Sequence, residues 1–117
     1  MKFIVDKSYW NLFPDSKLGV LLLKNIQNGE STDEIKSILK EANNEAKKYL
    51  TKEILSENPV IAVWREAYKK FKTKKGVRSS IEALLKRVNS GNPVSSINKF
   101  VDIYNSASLK YGLPCGA

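Results

Sequence analysis

Three polar side chains near the carboxyl terminus are spaced so that they could act together. Asn98, Asp102 and Asn105 stand at i, i+4 and i+7, which puts them on one face of a helix. With Tyr104 they outline a candidate pocket. A carboxylate flanked by amides can orient a water or a polar substrate. The same groups, once buried, need hydrogen-bond partners whether or not they do chemistry. The seam therefore has two readings, internal bonding or a substrate pocket, and the first makes fewer demands.

The composition narrows the chemistry. The chain has no histidine and one cysteine, Cys115. Ser-His-Asp and Cys-His nucleophilic machinery are thereby excluded within it, and a zinc site has too few ligands. Cys115 reads as a small packed side chain, and a lone thiol suits a reducing compartment. No cofactor is indicated. Any reaction would rest on carboxylates, lysines, hydroxyls, backbone amides or the substrate itself, so catalytic residues stay unassigned.

The second constellation is basic. In the ten residues from Lys69 to Arg78, six are cationic: Lys69, Lys70, Lys72, Lys74, Lys75 and Arg78. Tyr68 and Phe71 accompany them. As a solvated helix end, such a run gains from the helix dipole. As a binding surface, it contacts phosphates without reading bases. The chain as a whole carries a net charge of +8, which favours polyanionic partners, with RNA first.

The elements that must hold these groups follow from caps and periodicity. Lys2–Val5 and Leu18–Leu23 read as short strands, rich in apolar and β-prone residues. Tyr9–Phe13 makes an apolar turn, and Asn28-Gly29 a second turn. Ser31 with Glu34 forms a capping box opening a helix with Ile35, Ile38, Leu39, Ala42, Ala46, Tyr49 and Leu50 on its apolar stripe. Asn58-Pro59 opens another, with Asn at N-cap and Pro at N1. Ser79 with Glu82 caps a third. The last, apolar on most faces and hence expected to be buried, ends at Gly112. The expected fold class is α+β: short amino-terminal strands followed by about four helices, in a single domain over residues 1–117. No apolar run approaches the roughly 20 residues that span a bilayer, and no signal peptide is evident. A cytoplasmic protein without a membrane partner is expected.

Phe100-Val-Asp-Ile-Tyr-Asn followed by Leu109-Lys-Tyr-Gly-Leu-Pro resembles the motif helix of the B-three/B-four tRNA-binding and editing domain of the phenylalanyl-tRNA synthetase beta subunit. Trp64-Arg-Glu-Ala-Tyr-Lys-Lys-Phe and Arg78-Ser-Ser-Ile-Glu-Ala-Leu-Leu-Lys-Arg-Val resemble its freestanding branch. The resemblance runs from about Pro59 to the end. It implies tRNA binding and, in the synthetase, hydrolysis of misacylated tRNA. The chain would then be a trans-editing relative, or a non-enzymatic RNA-binding or protein-interaction module that has lost the site. Asp102 and Asn105 match the motif helix; Arg78, Ser79 and Ser80 match the start of the preceding helix. Tyr104 stands where the synthetase branch has a pocket threonine, and Gly116 where it has a histidine, so the synthetase substrate is not expected to transfer. Relatives continue with further strands, so the sequence is expected to be the amino-terminal part of a longer domain, or a short form that dimerises.

Overall fold

The computed structural model describes residues 1–117 as five α-helices and no strand. They are α1 (Lys7–Leu12), α2 (Asp33–Glu45), α3 (Pro59–Tyr68), α4 (Ser80–Asn89) and α5 (Lys99–Tyr111). Two short 3-10 turns, Ala46–Tyr49 and Leu55–Glu57, link α2 to α3. The α+β expectation is therefore wrong. Lys2–Val5 and Leu18–Leu23 form no regular element, and no main-chain hydrogen bond between peptide groups involves residues 17–28. β-propensity describes a residue's fit to a pleated surface, and a strand exists only where a second backbone supplies the ladder. Here none does, and Leu21 stays 82% exposed. No residue from 1 to 30 is buried. That arm helps raise the radius of gyration to 15.6 Å, against about 13 Å for a compact chain of this length. No helix is long and apolar enough to cross a membrane.

The core is small. Leu39, Ala42, Ala46, Ile61, Ile81, Leu85, Val94 and Leu109 are its buried apolar side chains, with Tyr49, Leu50, Trp64 and Val88 packed around them. The most extensive helix pair is α2 with α5. Of its thirteen residues, α5 buries Asp102, Ser106, Ser108 and Leu109, so Leu109 is its one large apolar side chain in the core. The expectation of a helix buried all round is corrected accordingly: Ile97, at its entrance, is 66% exposed and Tyr111 is 65% exposed.

Local caps set most boundaries. Ser79 Oγ accepts from Glu82 N–H at 3.4 Å, and Pro59 opens α3 as N1. Two caps differ from expectation. Thr32, not Ser31, caps α2 by accepting from Ile35 N–H at 3.3 Å. Asn58 is fully buried and does not cap α3. Its Oδ1 accepts from Thr51 and Lys52 N–H at 2.9 and 3.0 Å, and its Nδ2 donates to Leu55 O at 2.9 Å. A side chain serving three main-chain groups holds the α2–α3 connection in place of the α3 terminus.

Gly112 ends α5 in the left-handed region, at φ 65°. A Cβ there would lie 2.9 Å from Cζ of Tyr49, whose hydroxyl donates to Lys110 O at 2.7 Å. Gly112→Ala meets both backbone strain and a ring fixed by that bond. It is expected to lower stability by about 1–3 kcal/mol in denaturant unfolding. Trimming Tyr49 to Leu should recover part of that loss, and simple additivity of the two changes would disprove the contact.

Candidate nucleic-acid interface

The polar seam is dispersed by the fold. Asp102 is fully buried. Its Oδ2 accepts from the hydroxyls of Ser31 and Ser96, the latter at 2.5 Å, and its Oδ1 accepts from Ile97 N–H at 2.8 Å. Burial pushes the carboxyl up, but the hydrogen bonds from Ser31, Ser96 and the N–H groups of Ile97 and Asn98 outweigh it and hold its pKa below the ordinary carboxylate value. Asn98 caps α5 by accepting from Val101 N–H at 3.0 Å. The arm completes that terminus: Gly29 O accepts from Lys99 N–H at 3.0 Å and Asn28 Oδ1 from Phe100 N–H at 3.3 Å. Those donors are occupied, so the start of α5 offers them to no anion. Tyr104 and Asn105 are half-buried beside this network. The arrangement holds a charge inside the protein; it leaves Asp102 no free lone pair directed at solvent.

The basic run lies where α3 ends. Residues 72–78 form an irregular connection, and all six of its cations except those drawn to acids stay free. Lys69 pairs with Glu66 at 2.7 Å, both exposed. Arg78 approaches Glu82 at 3.7 Å. Glu82 is chiefly held by Arg65, at 2.5 Å, and that hydrogen bond raises the Arg65 pKa. Lys70, Lys72, Lys74 and Lys75 form no ion pair. Lys74 O accepts from Val77 N–H at 3.3 Å, closing a turn through Gly76 at φ 83°. That turn carries two lysines into solvent.

Beside the run is a feature that local sequence reading does not reach. A cleft of about 400 Å³ opens between α1 and the end of α3. Five rings line it, Tyr9, Phe13, Trp64, Tyr68 and Phe71, together with the aliphatic Leu18, Val63 and Ala67 and the polar Ser16 and Lys17. The rings form a chain: Tyr9 to Phe13 at 5.4 Å, Phe13 to Phe71 at 6.2 Å, Phe71 to Tyr68 at 5.6 Å. Lys70 Nζ sits 5.3 Å from the centre of the Phe13 ring, within cation–π range. The only sequence signal was aromatic density at both ends of the cleft; their meeting is tertiary.

Asp102→Ala strands two hydroxyls and an N–H. It should cost about 1–3 kcal/mol and lower the melting temperature by about 4 °C per kcal/mol. The depressed pKa means that Asp102 stabilises the fold above the ordinary carboxylate value and loses that effect as pH falls through its folded pKa. The gap in melting temperature between parent and variant should therefore narrow as pH falls below the ordinary carboxylate range. An unchanged melting temperature with lost ligand binding would instead make the seam a site.

Comparison with known proteins agrees with the carboxyl-terminal motifs. The family model of the B3/4 domain matches residues 63–117, which takes in the end of α3, the basic connection, α4 and α5. No curated protein and no solved structure matches the chain. The resemblance in Trp64–Phe71, Arg78–Val88 and Phe100–Pro114 thus has an independent counterpart. The similarity to the B3/4 domain, the domain found in the phenylalanyl-tRNA synthetase beta subunit, therefore covers residues 63–117 of the chain.

Proposed function

We propose that the chain is an RNA-binding module, with tRNA as its RNA, that binds without carrying out hydrolysis. The observation that carries this reading is the exposed connection after α3. It holds six cations and no acid between Lys69 and Arg78, and four of them lack an ion pair. Cations on an irregular, solvent-exposed segment can follow a phosphate backbone, with release of counterions as the driving term. The relation to the synthetase domain supports RNA over other polyanions. The commitment of Asp102 to internal donors, with no histidine in the chain, supports binding over catalysis. Editing in trans, which the same relation suggests, would require another group to orient the attacking water.

Filter binding of tRNA across a salt series tests this. Affinity should fall steeply as salt rises. Replacing Lys69, Lys70, Lys72, Lys74 and Lys75 by Gln should weaken binding about tenfold or more and flatten the salt slope, with the melting temperature unchanged. Equal binding by parent and variant would remove the connection from the interface. Deacylation of misacylated tRNA by the parent, at a rate above that of buffer, would restore the editing reading.

A further inference from the structure

We infer that the aromatic cleft between α1 and α3 is a stacking site for an unpaired nucleobase, so that the RNA bound here is single-stranded at this point. The inference rests on the RNA-binding reading and adds which part of an RNA the surface takes. Five rings converge on one cleft at the surface of a small protein; of these, Trp64 is also packed against the core. Phe71 remains 41% exposed after this packing. Phe13 and Phe71 meet edge to face, at 88°, so each contributes a differently oriented surface. The rings also keep polar edges available. Every buried polar side-chain atom has a partner. The indole N–H of Trp64 and the hydroxyls of Tyr9 and Tyr68, which bond to nothing in the chain, therefore reach solvent. A planar base offers a π-face to the rings and donors and acceptors at its edge, and matches both properties.

Charge selects a base over an apolar peptide. Lys17 borders the cleft and Lys70 lies over Phe13, while Lys72, Lys74 and Lys75 follow within one connection. The nearby acids are otherwise occupied or fewer: Asp6 caps α1 through Ser8 at 2.8 Å, Glu66 pairs with Lys69 at 2.7 Å, and Asp15 lies in the turn after Phe13. A base in the cleft places its flanking phosphates beside cations. A duplex keeps its bases stacked on each other and can use only the cations.

The test uses the full chain with Trp10→Phe, leaving Trp64 as the single tryptophan. Titration with a short oligouridylate should quench Trp64 fluorescence, whereas an RNA hairpin duplex of equal phosphate number should bind with little quenching. Phe13→Leu with Phe71→Leu should weaken oligouridylate binding about tenfold or more and leave duplex binding within about twofold. Lys17→Glu, which alters no ring, should weaken oligouridylate binding without changing the melting temperature. The inference is overturned if a folded Leu variant binds oligouridylate as the parent does, if Lys17→Glu has no effect, or if an apolar peptide quenches Trp64 where oligouridylate does not. In the first two cases, lysine-dependent tRNA binding would leave the RNA-binding reading standing. Failure of the parent to bind any RNA removes both.

Discussion

A single buried carboxylate ties the sequence into its fold. Asp102 collects a hydroxyl from the residue before the α2 cap, a hydroxyl and an N–H from the segment leading into α5, and sits itself in the first turn of α5. Without these donors a buried charge would cost far more than one hydrophobic contact returns. With them, three segments must arrive together. The eight apolar residues of the core cannot impose that by themselves, because hydrophobic burial has no direction. Asn43 extends the same logic: its Oδ1 accepts from Val94 N–H at 2.8 Å and its Nδ2 donates to Val94 O at 3.0 Å. This reciprocal pair locks α2 to the loop that also delivers Ser96.

That constraint bears on function by exclusion. A general base must present a free lone pair to a proton it removes. Asp102 presents its lone pairs to Ser31, Ser96 and Ile97, out of solvent. The residues that keep free valences are elsewhere, on the lysine-bearing connection and in the ring cleft. The hydrogen bonds of α5 thus hold the fold together, while the unpaired lysines and the open rings lie at the end of α3 and beside α1.

What could be read from the sequence was whatever a few neighbouring residues decide. Pro59 at N1, Ser79 as N-cap, and Gly112 at a helix end each act within one turn and are found where their types predict, whereas the Glu82 carboxylate, expected to complete the capping box, turns to Arg65 instead. Readings that needed a distant partner failed. Ser31 has the right type for a cap, but its hydroxyl goes to Asp102, and Thr32 takes the cap one residue later. Leu18–Leu23 has strand composition and no strand to join. The apolar surface of α5 suggested burial all round, yet only Asp102, Ser106, Ser108 and Leu109 are inside, and Ile103 and Tyr111 stay exposed. Of the candidate site, the basic run was legible as charge, whereas the seam was legible only as spacing, and spacing does not say whether a polar group faces a ligand or the protein.

The ring cleft shows why neither half of such a surface is readable alone. Tyr9 lies in a helix of six residues with none buried, and Phe13 is its C-cap; such a helix is too short to persist by its own hydrogen bonds. Tyr68 ends another helix, and Phe71 follows three residues later in the connection. Each pair in isolation reads as core material for its own element. Packed edge to face they satisfy one another only in part, because the T-shaped geometry that favours ring pairs leaves faces uncovered. Lysine-rich connections are common and sequence-blind, and exposed rings alone invite any apolar partner. Their adjacency here, with Lys70 against the ring of Phe13, couples the two: the cation favours an anionic chain, and the open faces favour a chain whose bases are free to turn outward.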